Sequence, residues 1–98
     1  MLITISAKHM ELTEAIHKYI RSKVSKLPRF FSGLQQLAVT IERAPRGFHV
    51  EIRSDVEHHK DFICNYLHRD LYACVDLAVD RSVRQLSHYK DRVRHHHR

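Results

Sequence analysis

The sequence predicts an α+β domain with the order β-α-β-β-β-α, a four-stranded sheet carrying two helices packed on one face. Three observations lead there. Four short segments alternate apolar and polar residues, two longer ones repeat apolar residues at intervals of three and four, and the last three alternating segments follow one another across short polar links. The 98 residues allow one domain with a single modest core, and an apolar fraction of 43% is that of an ordinary globular chain.

Residues 2–6 (LITIS) form the first expected strand. In the stretch that follows, Leu12, Ala15, Ile16, Tyr19, Ile20, Val24 and Leu27 recur at helical spacing. Thr13 is placed to cap that helix, and Glu14 sits near the positive end of its dipole. Pro28 disfavours helical geometry in the residue before it, so the helix is expected to end near Leu27. RFFSG is a turn whose Phe30 and Phe31 are expected to pack back on the core.

Residues 37–43 (LAVTIER) place Leu37, Val39 and Ile41 on one face, and APRG turns the chain. Residues 48–56 (FHVEIRSDV) put Phe48, Val50 and Ile52 inward and His49, Glu51 and Arg53 outward. EHHKD is a polar link, and residues 62–67 (FICNYL) are the fourth strand. Links this short predict an antiparallel meander for strands two to four. Asp70 is the expected cap of a long final helix. The domain is expected to cover residues 1–94, with a basic, His-rich tail at 95–98 that is expected to be disordered.

The final helix mixes core-forming and charged residues. At about 100° per residue, Leu71, Tyr72, Val75, Ala78, Val79, Val83, Leu86, Tyr89 and Val93 fill an arc of about 140°. Arg81, Arg84, His88 and Arg92 fall within about 80° on the side expected to lie opposite. Asp80 and Asp91 flank this basic rail, and Lys90 falls on the apolar arc, where its stem must run to the edge. Guanidinium groups spaced along a helix suit successive phosphate oxygens, because each offers a planar fork of donors. A plain solvated face would more often mix signs at intervals of four. On the first helix Lys18, Arg21 and Arg29 point outward, Lys26 borders the apolar stripe and Lys23 lies inside it, with Asp76 as its candidate partner. Side by side, the two helices would offer one basic surface.

The formal net charge is +6, distributed as +4 over residues 1–33, −1 over 34–68 and +3 over 69–98. Excess cations at both ends of the chain favour a polyanion, nucleic acid or anionic lipid, while a basic protein with no such partner stays open on charge alone. No run approaches the length needed to span a bilayer and no signal-peptide layout opens the chain, so a cytoplasmic protein is expected. Phosphate-cradling glycine loops, GxSxG and HExxH are all absent, which argues against an enzyme and against a small-molecule substrate. No cofactor is expected. Cys64 and Cys74 lack metal or disulfide spacing and are expected to be reduced core thiols. His58, His59 and Asp61, and His95 to His97, lack the geometry of a closed metal site.

Two segments resemble the ribosome hibernation-promoting factors, a family that includes the ribosome-associated inhibitor A group and was once labelled as modulators of an alternative sigma factor. The likeness rests on Thr13-Glu14-Ala15, Tyr19, Lys23, Lys26 and Leu27 near the start. Near the end it rests on Asp70, Tyr72-Ala73, Asp76, Asp80, Arg84-Gln85-Leu86 and Lys90. The family fold is β-α-β-β-β-α, the order expected above. The resemblance implies a bacterial, stress-related translation inhibitor that sits in the mRNA and tRNA channel of the small ribosomal subunit, over the A and P sites. It implies that Arg81, Arg84 and His88, with Arg92 on the same rail, contact rRNA, supported by Lys23, Lys26 and Arg29. Asp70, Tyr72 and Asp76 are assigned to capping and packing.

The chain departs from the family in several places. His88 stands where a Lys is usual, so its contact is expected to strengthen in mildly acidic solution. Pro28 interrupts a stretch that often stays helical, and EHHKD lacks the common glycines. Long members pair two ribosomes through a second domain, so dimerisation here is expected to need another factor. The alternative is a general RNA- or partner-binding module acting on transcription or another RNA, since phosphate contacts by themselves choose no sequence.

Overall fold

In the computed structural model, which describes residues 1–96, β1 (Leu2–Lys8) leads into α1 (Glu14–Val24) and a short 3-10 turn (Leu27–Arg29). Then come β2 (Leu34–Ala44), β3 (Gly47–Val56), β4 (Phe62–His68) and α2 (Leu71–His96). The expected order of elements holds. The sheet runs β1-β2-β3-β4: β1 pairs in parallel with β2, from Leu2 opposite Gln36 to Lys8 opposite Glu42, and the other two pairings are antiparallel. A parallel step needs a crossover, and α1 supplies it. Of the expected tail, residues 95 and 96 continue α2, and residues 97 and 98 lie outside the described part. No helix among the described residues is long and apolar enough to cross a membrane.

The inward side chains Leu37, Val39, Ile41, Val50, Ile52 and Cys64 meet Ile20, Val24 and Leu27 from the first helical segment. From α2 they meet Cys74, Val75, Ala78, Val79 and Leu86, and none of these is more than 1% exposed. Burying each large aliphatic side chain contributes about 1.5–3 kcal/mol. Across the sheet, the row Thr4, Ala38, Arg53 and Ile63 faces away from this core, so both helices cover one face. β2 starts three residues earlier than expected: an irregularity between Leu34 and Gln36 turns Leu34 inward, opposite Val56. Pro45 and Arg46 close the β2–β3 hairpin. Gly47 has φ +148°, and a Cβ there would come within 2.5 Å of the Arg69 Cα and the His68 carbonyl oxygen. The hairpin tip is thus pressed against the link between β4 and α2.

The first helix ends earlier than expected. Its last residue is Val24 rather than Leu27, and the backbone N–H and hydroxyl of Ser25 both donate to the Arg21 carbonyl. Pro28 has no N–H for the carbonyl four residues back, and its ring crowds that carbonyl, so the break falls one turn before the proline. The chain continues as a 3-10 turn closed by Arg29 N–H to the Lys26 carbonyl at 3.1 Å and Phe30 N–H to the Leu27 carbonyl at 3.0 Å. Both caps form as expected. Thr13 Oγ1 accepts from Ile16 N–H at 3.2 Å, and Asp70 Oδ1 accepts from Tyr72 and Ala73 N–H at 2.9 and 3.3 Å. Phe31 packs edge-on against Tyr89, with centroids 5.2 Å apart.

The buried stripe of α2 is rotated from the expected one. Cys74 and Ser82 are fully buried, whereas Tyr72 is 43% exposed. Small residues at 74, 78 and 82 let the helix settle low over β4, where the Cys74 thiol donates to the Tyr66 carbonyl at 3.2 Å and the Cys64 thiol to the Ala78 carbonyl at 3.5 Å. Both cysteines are free, and burial pushes both thiols up from their ordinary pKa. Lys90 is exposed. Tyr72 instead meets Tyr19 of α1 edge-on at 4.7 Å. The Tyr19 hydroxyl donates to Asp76 Oδ1 at 2.7 Å, and Lys23 Nζ lies 3.9 Å from the same oxygen, the pairing expected from the sequence.

The hydrogen bond to Asp76, then burial, then the Asp76 charge raise the Tyr19 pKa from 10.0 to about 12. The fold therefore favours the protonated phenol. Its contribution to stability is complete below about pH 10, the unfolded value, and is lost as pH rises toward 12. Urea midpoints across this range should fall for the wild type, and Tyr19→Phe should remove that part of the fall. Asp70→Ala leaves two first-turn N–H groups without their acceptor, and urea unfolding should show a loss of about 1 kcal/mol.

Candidate nucleic-acid interface

The rotation of α2 decides where the rail lies. Because Cys74 and Ala78 are buried, Arg81, which was expected on the side opposite the core, sits on the shoulder of the helix above β4. Arg81 Nη1 donates to the Asn65 carbonyl at 3.4 Å, and its guanidinium carbon lies 5.1 Å from the Tyr66 ring centroid. One turn on, Gln85 Nε2 donates to the Ile63 carbonyl at 3.2 Å. These side chains occupy carbonyls on the free edge of β4, which would otherwise invite another strand. Arg81 is thereby held in place, with further N–H groups free to donate.

Arg84, His88 and Arg92 are exposed along the same shoulder. His88, Arg92, Gln85 and Phe62 line a shallow cleft of about 440 Å³. The Arg92 guanidinium stands 6.0 Å from the Tyr89 ring centroid. Among the described residues, no carboxylate lies within ion-pair distance of Arg81, Arg84, His88 or Arg92. At about 1.5 Å per residue, the 26 residues of α2 span about 39 Å, well beyond seven-residue β4, so the far end of the rail overhangs the sheet.

The residues from the first helical segment occupy the other shoulder of α2. Lys23 belongs to α1, Lys26 to the bend after it, and Arg29 to the 3-10 turn. Lys23 lies 5.2 Å from the Tyr19 ring centroid and pairs with Asp76; Lys23 and Lys26 share a polar cleft of about 200 Å³ with Asp76 and Asp80. Arg29 is exposed. Two carboxylates therefore stand between these lysines and the rail, and the single continuous basic surface expected from side-by-side helices is not what forms. There are two cationic strips, one lacking ion-pair partners and one partly compensated.

The helix-free face of the sheet has a different character. His9 and His49 both approach Glu42, at 3.7 and 3.6 Å, Gln36 donates to Asp55 at 3.0 Å, and Arg53 faces Asp61 at 3.4 Å. Paired carboxylates there disfavour phosphate. His59 stacks on Phe62 at 4.5 Å, and His58 lies 3.4 Å from Glu57. Among the described residues, no group of three or more His, Cys, Asp or Glu is placed to hold a metal ion. Gln85 was not singled out from the sequence for the edge it covers; its spacing of four from Arg81 is the only signal, and that spacing gains meaning only beside β4.

The overall fold recurs in known proteins. The chain is 29% identical to the N-terminal domain of Thermus thermophilus Protein Y, with a TM-score of 0.82 over 91% of this chain and 99% of that one. It is 28% identical over 94 residues to the ribosome hibernation promoting factor of Azotobacter vinelandii, covering 94% of this chain and 85% of the relative. It is 25% identical over 96 residues to that of Escherichia coli K12, covering 98% and 100%. With a family match that spans residues 3–94, almost the whole described fold, the chain belongs to the family described as Sigma 54 modulation protein / S30EA ribosomal protein.

Proposed function

We infer that this protein is a ribosome hibernation factor that binds the small ribosomal subunit in the channel for mRNA and tRNA, over the A and P sites, and holds it inactive in translation. The observation that carries this reading is the strip of Arg81, Arg84, His88 and Arg92, exposed and without carboxylate partners among the described residues. Such a strip suits the phosphates of folded RNA. The names of the Azotobacter and Escherichia relatives support the ribosomal partner. Lys23, Lys26 and Arg29 form a secondary set on the α1 side, weakened by Asp76 and Asp80.

A rigid, shape-reading contact fits this strip. Arg81 is fixed by β4 before any ligand arrives, so little side-chain freedom remains to be lost on binding. The mechanism is occlusion: a basic helix lying along rRNA where mRNA and tRNA would pass.

Binding to purified small subunits should weaken steeply with salt, because each neutralised phosphate releases counterions. A flat response between low and moderate salt would reject the electrostatic contact. Arg81→Glu with Arg84→Glu should abolish inhibition of in-vitro translation while the circular dichroism spectrum stays native, since both residues are exposed. Inhibition at the wild-type level by that pair would reject the surface. Lysate sedimentation separates this reading from a regulator of transcription or of another RNA: the protein should travel with ribosomal particles and not with free RNA.

A further inference from the structure

At the end of the sheet opposite the overhanging rail lies a cavity of about 430 Å³ that the rail does not use. Pro45, Phe48 and Leu67 border it, but the β3–β4 register puts Phe48 on the helix-covered face and Leu67 on the bare one, so Pro45 and Leu67 are the exposed apolar side chains, with Arg46, His68 and Arg69 supplying polar groups. Leu67 is 68% exposed. Arg43 adds a third guanidinium, 5.2 Å from the Phe48 ring centroid. No acidic residue occurs in 43–50 or in 62–69. Of the four acidic residues that flank these segments, Glu42 faces His9 and His49, Asp61 faces Arg53 and Asp70 caps α2, while Glu51 lies further along the strands opposite Asn65. The site is also preformed. Gly47 seats the hairpin tip directly on the backbone of residues 68 and 69, and His68 Nδ1 accepts from the Asp70 N–H at 3.0 Å. That acceptor role leaves Nε2–H as the donor of the neutral ring.

We propose that this cavity is a second RNA contact, which takes one unstacked nucleotide of a single strand: the base against Pro45 and the exposed Leu67, the phosphate between Arg46 and Arg69. An apolar floor rimmed by arginines and free of acids matches a flat, weakly polar base joined to an anion. The rail leads toward it, since Arg81 is anchored at Asn65, two residues before Leu67 on β4. The proposal rests on the RNA-binding reading above and extends it from phosphates to a base.

NMR titration of the labelled protein with the trinucleotide ApApA tests the site directly. The amides of residues 46–48 and 67–69 should shift several-fold more than with inorganic phosphate at equal concentration. Arg46→Ala with Arg69→Ala, both exposed, should lose these shifts while the rest of the spectrum is unchanged. No shift at these residues, an equal response to phosphate, or full retention in the double variant would overturn the proposal. On the small subunit, Leu67→benzoylphenylalanine should cross-link to rRNA on irradiation; cross-linking only to a ribosomal protein would also overturn it. Arg81→Glu with Arg84→Glu separates the two readings, because it should lose the particle and keep the trinucleotide shifts. Failure of the cavity would leave salt-dependent particle binding intact, and failure of the ribosomal reading would leave the titration to decide.

Discussion

The close seating of α2 on the β3–β4 side of the sheet is the constraint on which the rest of the molecule depends. Cys74, Ala78 and Ser82 are small enough to bring the helix axis down toward β4, and thiol hydrogen bonds to strand and helix carbonyls mark how near the two elements come. Once that contact is made, the helix has no rotational freedom left. Leu71, Val75, Val79 and Leu86 complete the core, and every other residue of α2 takes the direction that remains. The basic shoulder over β4, the Tyr72–Tyr19 contact toward α1 and the overhang of the last turns all follow from this one packing decision.

Electrostatics then divides the surface into zones. Over β4, cations stand on a strand edge whose carbonyls accept from Arg81 and Gln85, so positive charge and backbone satisfaction come from the same side chains. Toward α1, Asp76 gathers the Tyr19 hydroxyl and the Lys23 ammonium around one oxygen, which ties the helices together and offsets part of their positive charge. On the bare face of the sheet, His, Glu, Asp and Arg neighbours pair across strands. Over β4 a polyanion meets a strip that lacks carboxylate partners among the described residues, and the position of that strip is set by the core.

The same packing accounts for the hairpin end. Pro45 and Arg46 turn the chain, and Gly47 allows the turn to touch the β4–α2 link without a side chain between them. Since Asp70 must cap α2 at that point, the link has little room to move, and the arginines around it are displayed on a stiff frame.

Much of the fold was legible in the amino-acid order because it is written in local periods. Alternation at Leu37, Val39 and Ile41, helical spacing from Leu12 to Leu27 and from Leu71 onward, and the caps at Thr13 and Asp70 depend on near neighbours only. The pairing of Lys23 with Asp76 could also be anticipated, because a lysine within an apolar stripe needs an acid. The exact end of α1 lies one turn before the expected one, since the proline acts on a carbonyl four residues earlier. The identity of the cationic residues on α2 was fixed by composition and spacing, but their direction was not. An apolar arc on a wheel treats Tyr72 and Cys74 by hydropathy, whereas the sheet selects by size, admitting the cysteine and turning the tyrosine out. The sequence by itself determined which segments are strands and helices and which residues carry charge, because those follow from local spacing and side-chain chemistry. Only the tertiary structure decided that the two basic sets occupy opposite shoulders with carboxylates between them, because the rotation of a helix about its axis is settled by close packing against residues distant in the chain.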